Sequence, residues 1–60
     1  MKKIEKVGIL VSNALGYPVW IVKVGHWYKI QKINDGNFYE YNNEVLLFEN
    51  LNAIIEYFTC

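Results

Sequence analysis

The side chains able to do acid–base, nucleophilic or ligand chemistry are few and scattered. His26 is the only histidine and follows Gly25 in a segment that reads as a tight turn. A general base has to be held within hydrogen-bond reach of its substrate, and nothing near His26 in the sequence supplies that support. A solvated turn residue is the simpler reading. Cys60 is the only cysteine. A nucleophilic thiolate needs a lowered pKa and a fixed partner, and a fraying helix end provides neither. An intrachain disulfide is excluded. A structural zinc site takes about four ligands, and one Cys and one His do not make it. Glu40, Glu44, Glu49 and Glu56 are too dispersed to read as a carboxylate pair, and Gly25 and Gly36 belong to different turns, so no phosphate-cradling loop forms. The sequence therefore predicts no catalytic residue, no metal and no cofactor, and the chain reads as a non-enzyme.

The other chemistry on offer is aromatic. Trp20 and Trp27, or Tyr28, Tyr39 and Tyr41, could stack bases if they shared a sheet face. Charge argues against that. Six lysines balance six acidic residues, and there is no arginine. A nucleic-acid binder usually carries a basic patch, and arginine is the preferred residue for bidentate contacts to phosphate and guanine. Packing or protein contact is the better expectation for these rings. Lysine, isoleucine, asparagine and tyrosine are abundant where arginine is missing, as in the proteins of AT-rich genomes, their phages and their plasmids.

Sixty residues allow one domain, residues 1–60. Chains of this size bury only about 60% of the surface that their unfolded form exposes. Without disulfides or metal, stability has to come from a dense core or a partner. A hydrophobic content of 53%, with 17% aromatic, fits that requirement. Met1-Lys2-Lys3 followed by the apolar Val7 to Val11 resembles the start of a signal peptide. However, Ser12, Asn13 and Pro18 interrupt the run, and no small-residue cleavage site follows. Gly16 and Lys23 further break any membrane span through Val24. The expectation is a cytoplasmic protein with a reduced Cys60 and no membrane partner.

Among the elements that would position these residues, a first helix is marked by Ile4, Val7, Leu10, Val11, Ala14 and Leu15, which recur at helical spacing. Gly16 and Pro18 then supply a helix stop. The competing reading is a strand over the β-branched run Val7 to Val11, with Gly8 counting against helix. Pro18 to Val24 favours extended backbone. Gly25-His26 suits a type II′ turn, Trp27 to Ile33 returns, and Asp35-Gly36 suits a type I′ turn. Asn37 to Asn42 is the third strand, and Val45 to Phe48 is a short apolar link or fourth strand. Asn50 is the N-cap expected for a second helix carrying Leu51, Ile54, Ile55 and Phe58, with Glu49 as the alternative opening residue that would complement the helix's positive end. The predicted fold is α+β, in the order α-β-β-β-α, with a three-stranded antiparallel meander and terminal helices.

The turns set registers, and registers set faces. The first turn pairs Val24 with Trp27, Val22 with Lys29 and Trp20 with Gln31. The second pairs Ile33 with Phe38, Gln31 with Glu40 and Ile30 with Tyr41. One face then holds Val19, Ile21, Lys23, Tyr28, Ile30, Lys32, Tyr39 and Tyr41. The other holds Trp20, Val22, Val24, Trp27, Lys29, Gln31, Ile33, Phe38 and Glu40. Both are too apolar for water. Two short helices would cover one of them, leaving a patch that marks a partner site. Because tyrosine can bury its ring and still satisfy its hydroxyl, the Tyr face is the one expected outward. Lys23, Tyr28, Lys32, Tyr39 and Tyr41 are then the partner-binding residues, with Trp20, Trp27 and Phe38 as the alternative face. The competing arrangement has one helix on each face and leaves neither exposed.

The stretch Gly16-Tyr17-Pro18-Val19-Trp20-Ile21-Val22-Lys23-Val24, then Trp27-Tyr28-Lys29-Ile30-Gln31, resembles the middle of a SPOR peptidoglycan-binding repeat: a helix, a Gly-Tyr-led strand and a hairpin return. The likeness covers about a quarter of the chain. It departs from that family in lacking a first strand before the helix and a glycine-led turn after Gln31, so the family's function is not carried over. The α-β-β-β-α order is also similar to double-stranded-RNA-binding domains, but Glu49-Asn50-Leu51-Asn52 stands where their second helix begins with basic residues. The functional expectation is a non-catalytic protein-binding module, of the kind phages and mobile elements use as inhibitors of, or adaptors to, a host protein such as a defence nuclease. Nucleic-acid binding through sheet aromatics is one alternative, and a homodimer pairing its own apolar face is the other.

Overall fold

A computed structural model describes residues 1–60. The element order is α1 (Lys3–Leu15), β1 (Val19–Val24), β2 (Trp27–Lys32), β3 (Glu40–Tyr41), β4 (Glu44–Val45) and α2 (Leu51–Thr59). The fold is α+β, but its strands form two separate two-stranded antiparallel sheets, β1–β2 and β3–β4. This corrects the three-stranded meander.

The ends of α1 follow from local chemistry. The Glu5 carboxylate accepts from the Lys2 backbone N–H at 3.0 Å, placing a negative charge in the first turn where the helix dipole favours it. At the other end Gly16 takes φ +85° and its N–H donates to the Ser12 carbonyl at 2.8 Å. That left-handed residue is cheap only for glycine. Helix α2 is capped by the Asn50 side chain, which accepts from the Ala53 N–H at 2.8 Å.

The first hairpin keeps the register that its turn dictates: Val24 faces Trp27, Val22 faces Lys29 and Trp20 faces Gln31. Gly25 has φ +62° and His26 does not take positive φ, as a type II′ turn requires. The second predicted turn is different. A type I′ turn needs positive φ at both central residues, and at Asp35-Gly36 only Gly36 has it. Instead, the Asp35 carboxylate accepts from the Asn37 N–H at 2.9 Å, and the Gly36 N–H donates to the Lys32 carbonyl at 3.0 Å. The loop thereby widens to Ile33–Gly36, and Gln31 meets Phe38, not Glu40. The slip is two residues, so side chains keep their faces. The type I′ geometry sits at Asn42-Asn43, where φ is +53° and +66°, between Tyr41 and Glu44. The predicted third strand, Asn37 to Asn42, is therefore broken. Its start touches β2 through the Tyr39 N–H to the Ile30 carbonyl at 2.7 Å. Its end belongs to the β3–β4 hairpin.

After that hairpin the chain returns to β2, where Tyr28 and Phe48 exchange backbone hydrogen bonds of 2.8 and 3.0 Å. Rings hold this excursion on α2: Phe48 meets Tyr57 at 5.6 Å between centroids, and Tyr39 meets Phe58 at 6.1 Å. The core consists of Val7 and Val11 from α1, Val19 and Ile21 from β1, Ile30 from β2, Phe48, and Ile54 from α2. Both helices therefore cover the same face of β1–β2. No helix is long and apolar enough to cross a membrane.

Candidate functional site

Alternation along β1 and β2 places Val19, Ile21 and Ile30 inward and Trp20, Val22, Val24, Trp27, Lys29 and Gln31 on the opposite face. Helix α1 selects that inward face. It runs so close to β1 that a methyl placed on Gly8 would sit 3.7 Å from the Trp20 Cα. Side chains of valine and isoleucine size fill such a gap, whereas indole rings would hold the helix further off. The Trp face is therefore the open one, which corrects the expectation that the Tyr face points outward. Trp20 is 55% exposed and Trp27 39%, with Val24 and Ile33 also exposed beside them.

The open face is ordered. The Trp20 indole Nε1 donates to the Gln31 Oε1 at 3.2 Å, and the Gln31 Nε2 donates to the Gly36 carbonyl at 2.9 Å. A glutamine amide thus links a large exposed ring to the backbone of the 33–36 loop. Lys29 Nζ lies 4.8 Å from the centroid of Phe38, which is half-buried on the same face. The wider loop keeps Phe38 across from Gln31, on the same face as the two tryptophans.

The five residues of the Tyr face are not gathered into a surface. Tyr28 and Tyr39 are half-buried and packed against the core. Burial pushes the Tyr39 phenol above its usual pKa, and the neighbouring Tyr57, Tyr17 and Tyr41 raise it further. Lys23 is exposed with its Nζ 5.8 Å from the Tyr28 ring centroid, and Lys32 pairs with Asp35 at 4.0 Å within the loop. Tyr41 is 58% exposed, but it lies on the β3–β4 hairpin.

A groove of about 740 Å³ adjoins the Trp face, between the α1 residues Ile4, Gly8 and Ile9 and the β1 residues Trp20, Ile21 and Lys23. Ile9 is 50% exposed on its wall. At one end the Ser12 hydroxyl accepts from the Val19 N–H at 2.9 Å and lies 3.1 Å from the Val19 carbonyl. Sequence reasoning missed this groove. The available signal was Ile9, an apolar residue outside the helical stripe; Ser12 has no sequence mark, because its role depends on the turn that brings β1 alongside it.

His26 and Cys60 are both exposed, and no group of three His, Cys, Asp or Glu side chains comes together. No protein-family model, curated protein or solved structure matches this chain.

Proposed function

We propose that this chain is a non-catalytic protein-binding module that occludes its partner with the open face of the β1–β2 hairpin. The observation that carries the reading is Trp20, an exposed indole held in place through Gln31 on a face that also carries Val24, Trp27 and Phe38. A large apolar ring fixed before binding loses little conformational entropy on contact. Tryptophan and tyrosine dominate the energetics of protein interfaces. The open face carries one lysine, Lys29, and the chain has no arginine and no net charge, which favours protein over nucleic acid as the occupant. The AT-rich composition suits a phage or mobile-element inhibitor or adaptor whose partner is a host protein, acting in the cytoplasm.

The test is affinity capture from a native-host lysate with the intact chain and with a Trp20→Ala/Trp27→Ala variant of verified fold. Capture of a defined protein that the variant loses by at least tenfold supports the reading. Equal capture by both removes the Trp face from consideration. Quenching of Trp emission by oligonucleotide with steep salt dependence would replace the protein partner with nucleic acid.

A further inference from the structure

We infer that the partner presents an apolar surface with one carboxylate set in it, and that this carboxylate seats on Lys29 at the middle of the open face. The inference rests on the protein-binding reading and names the chemistry of what is bound. It begins with the register. The outward pairs of the hairpin are Trp20–Gln31, Val22–Lys29 and Val24–Trp27, so Lys29 belongs to the middle one. Side chains on one face of a strand recur every two residues, roughly 7 Å apart. The two indoles therefore stand one pair away from Lys29, at opposite ends of the face. Lys29 carries the only charge among these six residues.

That charge has no anion of its own. The one ion pair of the molecule joins Lys32 to Asp35. Glu40 sits on β3, paired with Val45, and makes no ion pair with Lys29. The Lys29 ammonium lies 4.8 Å from the Phe38 ring centroid, a contact that holds it on the face and leaves its full charge in place. Lys29 is already half-buried. A partner that covers both indoles also covers the pair between them, and so takes this ammonium out of water. Burying a charge without an opposite one is costly. A wholly apolar partner surface is therefore penalised at its centre, and one with an Asp or Glu there is not. An ammonium pairs with a single carboxylate as a point charge, without the planar fork that arginine imposes. A second copy of this chain fits less well. Stacking two open faces about a two-fold axis through their centres sets Lys29 on Lys29, and like charges oppose association.

The probe is a random 12-residue peptide display library selected on the intact, immobilised chain. Enriched peptides should carry an Asp or Glu flanked by apolar residues and should lose affinity with Trp20→Ala. Lys29→Met keeps an unbranched side chain and removes the charge. It should weaken them about tenfold, as for one lost charge-assisted hydrogen bond. Lys29→Glu should weaken them further, and replacing the peptide's acid by lysine should restore binding to that variant. Lost packing cannot produce that rescue. Where Lys29→Glu loses its hairpin, a double-mutant cycle between Lys29→Met and the amide form of the peptide's acid measures the same coupling. Lys6→Glu makes the same charge change at an exposed position of α1 and should leave binding unchanged. Peptides that need Trp20 but carry no acid, or whose acid is indifferent to the Lys29 variants, overturn the inference and leave the proposed function standing. Equal losses with Lys6→Glu reduce the preference to bulk charge and also overturn it. Peptides indifferent to Trp20→Ala and to both Lys29 variants overturn it and count against the open face as well. No enrichment over an unrelated immobilised protein overturns it. Self-association that strengthens in Lys29→Met would assign the face to a second copy and overturn it.

Discussion

The two faces of the β1–β2 hairpin are almost equally apolar in composition, yet one is sealed and the other open. The sealed face carries Val19, Ile21 and Ile30, and the open face carries Trp20, Val24 and Trp27. What separates them is side-chain size and branching rather than hydrophobicity. A helix approaching strand backbone as closely as Gly8 approaches Trp20 demands compact partners, and Val7 and Val11 meet them from α1. The rings are left for the side that no helix occupies. In a domain this small, then, aromatic content need not mark the core.

The sharpest way to break the comparison is truncation on each side. Ile30 is only 1% exposed. Ile30→Ala should cost about 2–5 kcal/mol, against a total of about 3–9 kcal/mol scaled from typical per-residue stability. Urea denaturation monitored by far-UV circular dichroism should show most of the cooperative transition lost. Next in size is Ser12→Ala, which strands the Val19 N–H in a partly buried place; about 1–3 kcal/mol of stability should go. A midpoint shift in urea without a change in slope would confirm that the loss is local. Trp27→Ala should change stability by no more than about 0.5 kcal/mol. A loss comparable with that of Ile30→Ala would mean that the open face is structural after all.

The smallest effect concerns alkali. The phenol of Tyr39 has its pKa raised in the folded state, first by burial and then by neighbouring tyrosines. Its contribution to stability is present in full below the unfolded pKa of about 10 and is lost as pH rises through the folded value. Tyr39→Phe should therefore flatten the fall in stability above about pH 10, as read by thermal melts across the alkaline range. An unchanged alkaline limb would show that Tyr39 does not titrate with folding.

The sequence disclosed the helices and the first hairpin because each rests on a single strong local signal. Gly16 and Pro18 stop α1, Asn50 caps α2, and Gly25 supplies the one positive φ its turn needs. Asp35-Gly36 misled for an equally local reason: the Asp35 carboxylate is engaged by the Asn37 N–H, and its backbone never enters the left-handed region. Asn42-Asn43, a weaker turn signal, takes the type I′ geometry instead. Face membership survived because the loop slipped by an even number of residues. The choice of outward face was not legible, since it depends on how closely α1 packs, a tertiary quantity with no periodic trace. The groove was hidden for the same reason, although the exposed Ile9 hinted at it.

The Ser12 hydroxyl has a further consequence, for solubility. An unprotected strand edge invites open-ended stacking of like chains, and cross-β assembly recruits segments of about six or seven residues. Ser12 meets the Val19 N–H and α1 at Gly8 lies against the Ile21 nitrogen, so what remains of the β1 edge runs only toward Lys23, whose charge repels its own copies. That remnant is too short to seed a fibril.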